Sequence, residues 1–148
     1  MSPHLFALIE RGHGHVALLG LALLLHPVVA LWRRRAVGVW TVRTAWLAAA
    51  FLLAVFAVGC WLYPSWRQHI KPGLQAANNP LWLRFETKEH LAALTAALAL
   101  GGAVCVQATR TDDALRPTAV ALLLSAFVCG LATAGLGVWV GAGVHGAW

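Results

Sequence analysis

The stretch TAWLAAAFLLAVFAVGCWLY, residues 44–63, decides the fold class of this chain. It holds no charged side chain, and its length matches the roughly 20 apolar residues that one helical crossing of a bilayer needs. Three further runs are similarly apolar and cover about residues 14–32, 90–107 and 118–144. Because hydrocarbon offers no water to open backbone groups, each run is predicted to be a membrane-spanning helix.

The composition supports a lipid environment for the whole chain. Hydrophobic residues make up 60% of the 148 residues and charged residues 11%, against roughly a quarter charged in soluble domains. We therefore expect residues 1–148 to form a single transmembrane domain, an all-α, integral membrane four-helix bundle with antiparallel up-down-up-down topology. The net charge of +6 does not indicate nucleic-acid binding, because the basic residues lie between the apolar runs, where lipid head groups attract them.

The longest connection covers residues 64–88 and is rich in turn formers. Pro64 is expected to end the second span, and Pro72, Gly73 and Pro80 follow it. Residues 81–85 carry leucine and aromatic side chains, so we expect a short interfacial segment there that lies along the membrane surface. A loop that only dips its aromatic side chains into the head groups is the alternative.

The distribution of arginines predicts the orientation. Arg33, Arg34 and Arg35 directly follow the first span in a short loop, where the positive-inside bias acts most strongly. We expect this loop in the cytoplasm and both termini on the periplasmic side of a bacterial inner membrane. The first run exceeds the length of a signal-peptide core and is expected to remain as a span.

Small residues predict which helix faces touch, because membrane helices associate through close packing. Span three has one line of them at every fourth position (Ala93, Ala97, Gly101, Cys105), and span four has another (Ser125, Cys129, Thr133, Gly137, Gly141). These two spans follow each other closely and should be antiparallel neighbours. We expect the two lines to face each other, although alanine-rich helices also show such lines by chance.

Ionisable residues at the ends of the spans are the main indication of chemistry, because they are costly at membrane depth. Imidazoles and carboxylates that converge there can hold a metal ion, and the candidates are His13, His15, Glu86, Glu89 and His90. Two imidazoles from different helices can instead hold a haem b iron, and the candidates are His15, His90, His145 and His26.

The preferred haem pairing is His15 with His90 or His145, and this layout resembles small four-helix membrane b-type cytochromes. The chain has no Cys-x-x-Cys-His motif, so such a haem would be non-covalent. Gly101 and Gly102 could leave room for a flat ring deeper in the bundle. The alternative is structural, since histidines at helix ends also cap carbonyls or meet lipid phosphates. His26, beside Pro27, could satisfy a freed carbonyl or a threonine of a neighbouring helix.

Three functions follow from these patterns. The first is electron transfer in a respiratory-type chain by a small subunit with a haem b or metal site. The second is a cofactor-free accessory or assembly subunit of a larger membrane complex, for which the spacing of Gly137 and Gly141 suits close helix contact. The third is metal-ion or proton transport with His26 as a relay. Hydrolase and ATPase motifs are absent from the sequence, and whether the chain is an enzyme stays undecided.

Overall fold

The chain folds into four long helices joined by short connections. The computed structural model describes residues 3–34 and 36–145, and the side chains of residues 8–9, 12–34 and 36–143. The elements are α1 (Pro3–Trp32), α2 (Val39–His69), α3 (Lys71–Ala76), α4 (Leu81–Ala108), a 3₁₀ turn (Asp113–Leu115) and α5 (Arg116–His145). Within these residues, α1, α2, α4 and α5 are long and apolar enough to cross a membrane.

The four long helices form a closed ring. Helix α1 packs against α2 and α5, and α4 packs against the same two neighbours, with the most extensive contact between α4 and α5. Short connections make successive long helices antiparallel. The all-α, up-down-up-down membrane bundle predicted from the sequence is therefore confirmed, as is the pairing of the last two spans.

The two ends of this bundle differ in chemistry. One end holds the starts of α1 and α4 and the ends of α2 and α5, and is called the terminal end. The opposite end holds Arg33, Arg34, Arg43 and Arg110 and is called the arginine end.

The core between the helices consists of alanines with a few larger side chains. Ala45, Ala48 and Ala49 of α2 and Ala99 and Ala103 of α4 are at most 1% exposed. Such small side chains let backbones approach closely, which is how helices associate in lipid. Leucines of α1 and α5 fill the remaining space.

The small-residue lines that we expected to face each other are displaced around the helices. In α4 the buried face runs through Ala96, Ala99 and Ala103, while Ala97 of the expected line is exposed. Because α4 packs against both α2 and α5, its buried face is centred between them and does not point at α5 alone. The space beside Gly102 is filled by Leu123 of α5, so it does not leave room for a flat ring.

The connection at the terminal end is shorter than the sequence predicts. Helix α2 continues through Pro64 to His69, and residues 81–85, expected as an interfacial segment, form the first turns of α4. Pro64 removes one helical hydrogen bond and does not end the helix. The rings of Trp66 and Phe85 stack with centroids 3.7 Å apart and planes at 8°, which holds the two extended ends together. The connection itself is the short helix α3.

Candidate functional site: a cavity at the terminal end

A cavity of about 750 Å³ lies between the long helices at the terminal end. Its apolar wall includes Leu21, Leu52, Val55 and Phe56, and its imidazole and charged groups come from α1 and α4. From His13 to Leu21 the cavity follows α1 for about 12 Å at 1.5 Å per residue. Its volume and its mainly apolar lining are those of typical small-molecule and cofactor sites.

Three glycines of α5 create the space. Gly135, Gly137 and Gly141 line the cavity, as does Gly130, where an added Cβ atom would instead overlap with the Leu21 side chain of α1. A Cβ atom at Gly135 or Gly141 would meet no atom within 4 Å, and one at Gly137 would meet only the Lys88 side chain, at 3.7 Å. Among the residues whose side chains are described, none therefore makes the close contact expected at Gly137 and Gly141. Instead, these glycines leave one wall of the cavity without side chains.

His13 contributes a buried nitrogen atom to this cavity. Its Nδ1 atom is buried and has no hydrogen-bond partner among the residues whose side chains the structure describes. A Cβ atom added at Gly59 of α2 would lie 3.7 Å from His13 Cε1 and 3.6 Å from Glu89 Oε2. The imidazole of α1 and the carboxylate of α4 thus meet over a glycine of α2. An unpaired buried nitrogen costs free energy, so a ligand that binds it is stabilising.

Charged side chains lie at the same end of the cavity as His13. Lys88 Nζ lies 3.1 Å from Glu89 Oε1, and their side chains are only 19% and 18% exposed. The Lys88 ammonium also lies over the Phe85 ring, 4.4 Å from its centroid. His15 lines the cavity as well. A ligand in the cavity therefore meets imidazole, ammonium and carboxylate groups at one end and apolar side chains along the rest.

Glu86 and His90, two of the predicted site residues, are directed elsewhere. Glu86 accepts hydrogen bonds from Lys71 Nζ at 2.7 Å and Tyr63 Oη at 3.1 Å. The His90 Nδ1–H donates to the Glu86 carbonyl at 2.7 Å, and its exposed side chain does not line the cavity. The side chain of His145 lies outside the described part of the chain.

The five predicted metal ligands are consequently not brought together. Within the described side chains, no group of three or more His, Cys, Asp or Glu residues is placed to hold a metal ion. Of the five, the cavity is lined by His13, His15 and Glu89. The step of about 100° per residue along α4 separates the direction of Glu89 from that of His90.

His26 has the structural partner that the sequence indicates. Its Nδ1 lies 2.8 Å from the Thr44 hydroxyl of α2. That hydroxyl donates to the Trp40 carbonyl at 2.9 Å, so the imidazole N–H donates to the Thr44 oxygen. The expected contact with a threonine of a neighbouring helix is confirmed. His26 does not line the cavity at the terminal end.

Sequence reasoning assigned Gly137 and Gly141 of α5 to helix contact and not to a cavity, and it did not single out His13 from the other candidate histidines. The signal was present, because five glycines in residues 130–143 and a histidine at the start of the first span are visible in the sequence. The chain was also compared with protein-family models, curated proteins and solved structures, and none of them matches.

Proposed function

We propose that this chain is a small redox subunit of a respiratory-type membrane chain, with one non-covalent haem b in the cavity at the terminal end. His13 would hold the iron. The observation that carries the proposal is the buried, unpartnered His13 Nδ1 in the wall of an apolar cavity of about 750 Å³. Imidazole is the commonest protein ligand of haem b, and the polarity around the iron tunes its potential.

The neighbours of His13 suit the rest of such a cofactor. Glu89 and the His13 imidazole border the same glycine, Gly59. A carboxylate that accepts a hydrogen bond from the second ring nitrogen of a ligating histidine orients its ring, and Glu89 would take that role. Lys88 supplies a cation at the mouth of the cavity, where the carboxylates of a haem would reach water. The apolar walls of α1 and α2 would surround the macrocycle. A bound haem would supply one-electron chemistry between the quinone pool and an external carrier.

The proposal changes the ligands that the sequence favoured. The pairing of His15 with His90 needs both side chains in one cavity, and His90 does not line it. His13 and His15 come from the same helix and cannot bind opposite faces of one flat ring. Among the described side chains, we therefore propose one ligand for the haem, from α1. A haem held by this ligand alone would have the spectrum of a high-spin species and not of a bis-histidine cytochrome.

A cofactor-free accessory subunit is the second candidate, and the local partners of the other histidines favour it. His26 is paired with Thr44, and His90 with the carbonyl of Glu86. Groups with such partners stabilise a fold without any ligand. In that role the chain would bind other membrane subunits or a second copy of itself.

The absorption spectrum of the purified protein separates these candidates. We expect protein made in a haem-sufficient host and purified in mild detergent to show a Soret band and about one haem b per chain by the pyridine haemochrome assay. His13→Ala should lose the band, whereas the matched variant His90→Ala should keep it. A colourless wild-type protein, or His13→Ala with full haem content and a native elution profile, would contradict the proposal and leave the accessory role.

The membrane placement belongs to the same proposal. We propose a bacterial inner membrane with the arginine end in the cytoplasm, because Arg33, Arg34, Arg43 and Arg110 adjoin the spans there. The cavity would then open towards the periplasm, on the side of an external electron carrier. Alkaline phosphatase fused after Trp148 should be enzymatically active. A green fluorescent protein fused at the same position should not fluoresce. The opposite pair of results would reverse the orientation.

A further inference from the structure

A second recess lies at the arginine end, on the lipid-facing side between α2 and α4. Its volume is about 630 Å³, and its lining includes Trp46, Val104, Gln107, Ala108 and Arg110. The Trp46 Nε1–H donates to Gln107 Oε1 at 2.8 Å, which joins the two helices. Trp46 and Val104 are 37% and 50% exposed, so the recess has an apolar wall on the side from which a lipid chain would approach.

Hydrogen-bond donors without partners lie at the polar end of this recess. The guanidinium of Arg110 makes no hydrogen bond, ion pair or ring contact with any described side chain, and the Gln107 amide uses only its oxygen. By contrast, Arg116 is paired with Asp113. The nearest acid in sequence, Asp112, accepts a hydrogen bond from the Ala114 backbone at 3.0 Å. The recess therefore offers positive charge that is not paired with any side chain in the described part of the chain.

A second guanidinium lies on the neighbouring helix near this end of the bundle. Trp46 and Gln107 join the antiparallel helices α2 and α4, and Arg43 precedes Trp46 by three residues, towards the arginine end. At 1.5 Å per residue along α2, its position is about 4.5 Å beyond Trp46. Arg43 is exposed, lies over the Trp40 ring at 5.3 Å and does not line the recess. It therefore adds positive charge near the recess without contributing to its wall.

From this arrangement we propose that the recess binds one anionic phospholipid. Arg110 pairs with the phosphate, Arg43 adds positive charge near it, and the Gln107 amide N–H donates to a headgroup oxygen. One acyl chain lies along Trp46 and Val104. Guanidinium groups at the membrane surface attract anionic lipids, and basic recesses between membrane helices are typical headgroup sites. The apolar wall is what selects a lipid over a free phosphate ion.

Native mass spectrometry of the delipidated full-length protein tests this site, with phosphatidylglycerol and phosphatidylcholine of identical chains as probes. Phosphatidylglycerol should bind more tightly. Arg110→Gln should weaken its binding about fivefold, since one basic residue at the surface is worth that factor, and leave phosphatidylcholine binding unchanged. The matched variant Arg116→Gln, whose guanidinium is already paired with Asp113, should bind like wild type. Equal binding of the two lipids to wild type, or no effect of Arg110→Gln, would overturn the proposal.

Two further arms separate a lipid from a free anion. Trp46→Ala should weaken phosphatidylglycerol binding because it removes the apolar wall, and inorganic phosphate at millimolar concentration should not displace the lipid. Displacement by phosphate together with unchanged lipid binding by Trp46→Ala would mean a simple anion site and would overturn the lipid assignment. The two substituted residues, Arg110 and Trp46, lie on the lipid-facing surface. A thermal unfolding transition measured for each variant checks that it is folded.

Discussion

Two adjacent glycines of α4 provide a sharp test of the packing between α4 and α5. A Cβ atom at Gly102 would lie 2.5 Å from Leu123 Cδ2, 2.9 Å from Leu123 Cγ and 3.4 Å from the Leu123 backbone nitrogen. Leu123 is fully buried and cannot move into empty space. At Gly101 the nearest atom to a Cβ is Leu122 Cδ1 at 3.7 Å, an ordinary contact.

The expected change in the free energy of unfolding is the sum of two opposing effects. Replacing a helical glycine by alanine gains roughly 0.8–1.0 kcal/mol of helix propensity, and both variants share this gain. Overpacking a filled core destabilises a protein by about 1–3 kcal/mol, and this effect applies only to Gly102→Ala. We therefore expect Gly101→Ala to stabilise the protein by up to about 1 kcal/mol. Gly102→Ala should be less stable than Gly101→Ala by about 1–3 kcal/mol.

The assay is reversible unfolding in mixed micelles of mild detergent and sodium dodecyl sulfate, followed by circular dichroism. A double-mutant cycle with Leu123→Ala isolates the clash, because Leu123→Ala removes the atoms that the new methyl group would meet. In that background Gly102→Ala should no longer destabilise. Equal stability of the Gly101→Ala and Gly102→Ala proteins would refute the contact of α4 with α5 described above.

Three other substitutions test local features. Arg34 has a φ of 51°, so Arg34→Gly should stabilise by about 1 kcal/mol in the same unfolding assay; a loss of stability would contradict this. Thr44→Val removes the partner of His26 and should cost about 0.5–1.5 kcal/mol without lowering haem content; a change in haem content would instead assign His26 to the cofactor. Glu86→Gln weakens the bond from Lys71 and should lower the melting temperature at neutral pH. It should also reduce the loss of stability on acidification, where wild-type Glu86 takes up a proton; an unchanged acid profile would argue against this ion pair.

The sequence predicts the bundle because hydrophobic length alone requires four helices in lipid. It predicts the helix ends less well. The residues after Pro64 include Arg67 and Gln68 and resemble a loop, and only the tertiary stack of Trp66 on Phe85 shows why the helix continues. A local pattern cannot reveal a contact between two helices.

The candidate site was predictable in its region but not in its members. Residue spacing places His13, His15 and Glu89 at one end of the bundle, as the structure does. The rotation of each helix about its own axis decides which of them face the cavity, and this rotation depends on packing against two neighbours at once. Hence the sequence could not show that His90 would bond to its own helix. Nor could it show that Gly135, Gly137 and Gly141 of α5 would line a cavity and not a close helix contact.

The most direct test of the central claim is a titration of purified, haem-free protein with haemin, in which Gly59→Leu is compared with wild type. The new side chain would start within ordinary contact distance of His13 and Glu89 and extend into the cavity. Gly73→Leu in α3, where a Cβ meets no atom within 4 Å, is the control outside the cavity. We expect wild type and Gly73→Leu to saturate at one haem per chain, and Gly59→Leu to bind at least about tenfold more weakly, equal to about 1.4 kcal/mol. Unsaturable binding to wild type, or equal affinities of all three proteins, would contradict a haem site in this cavity.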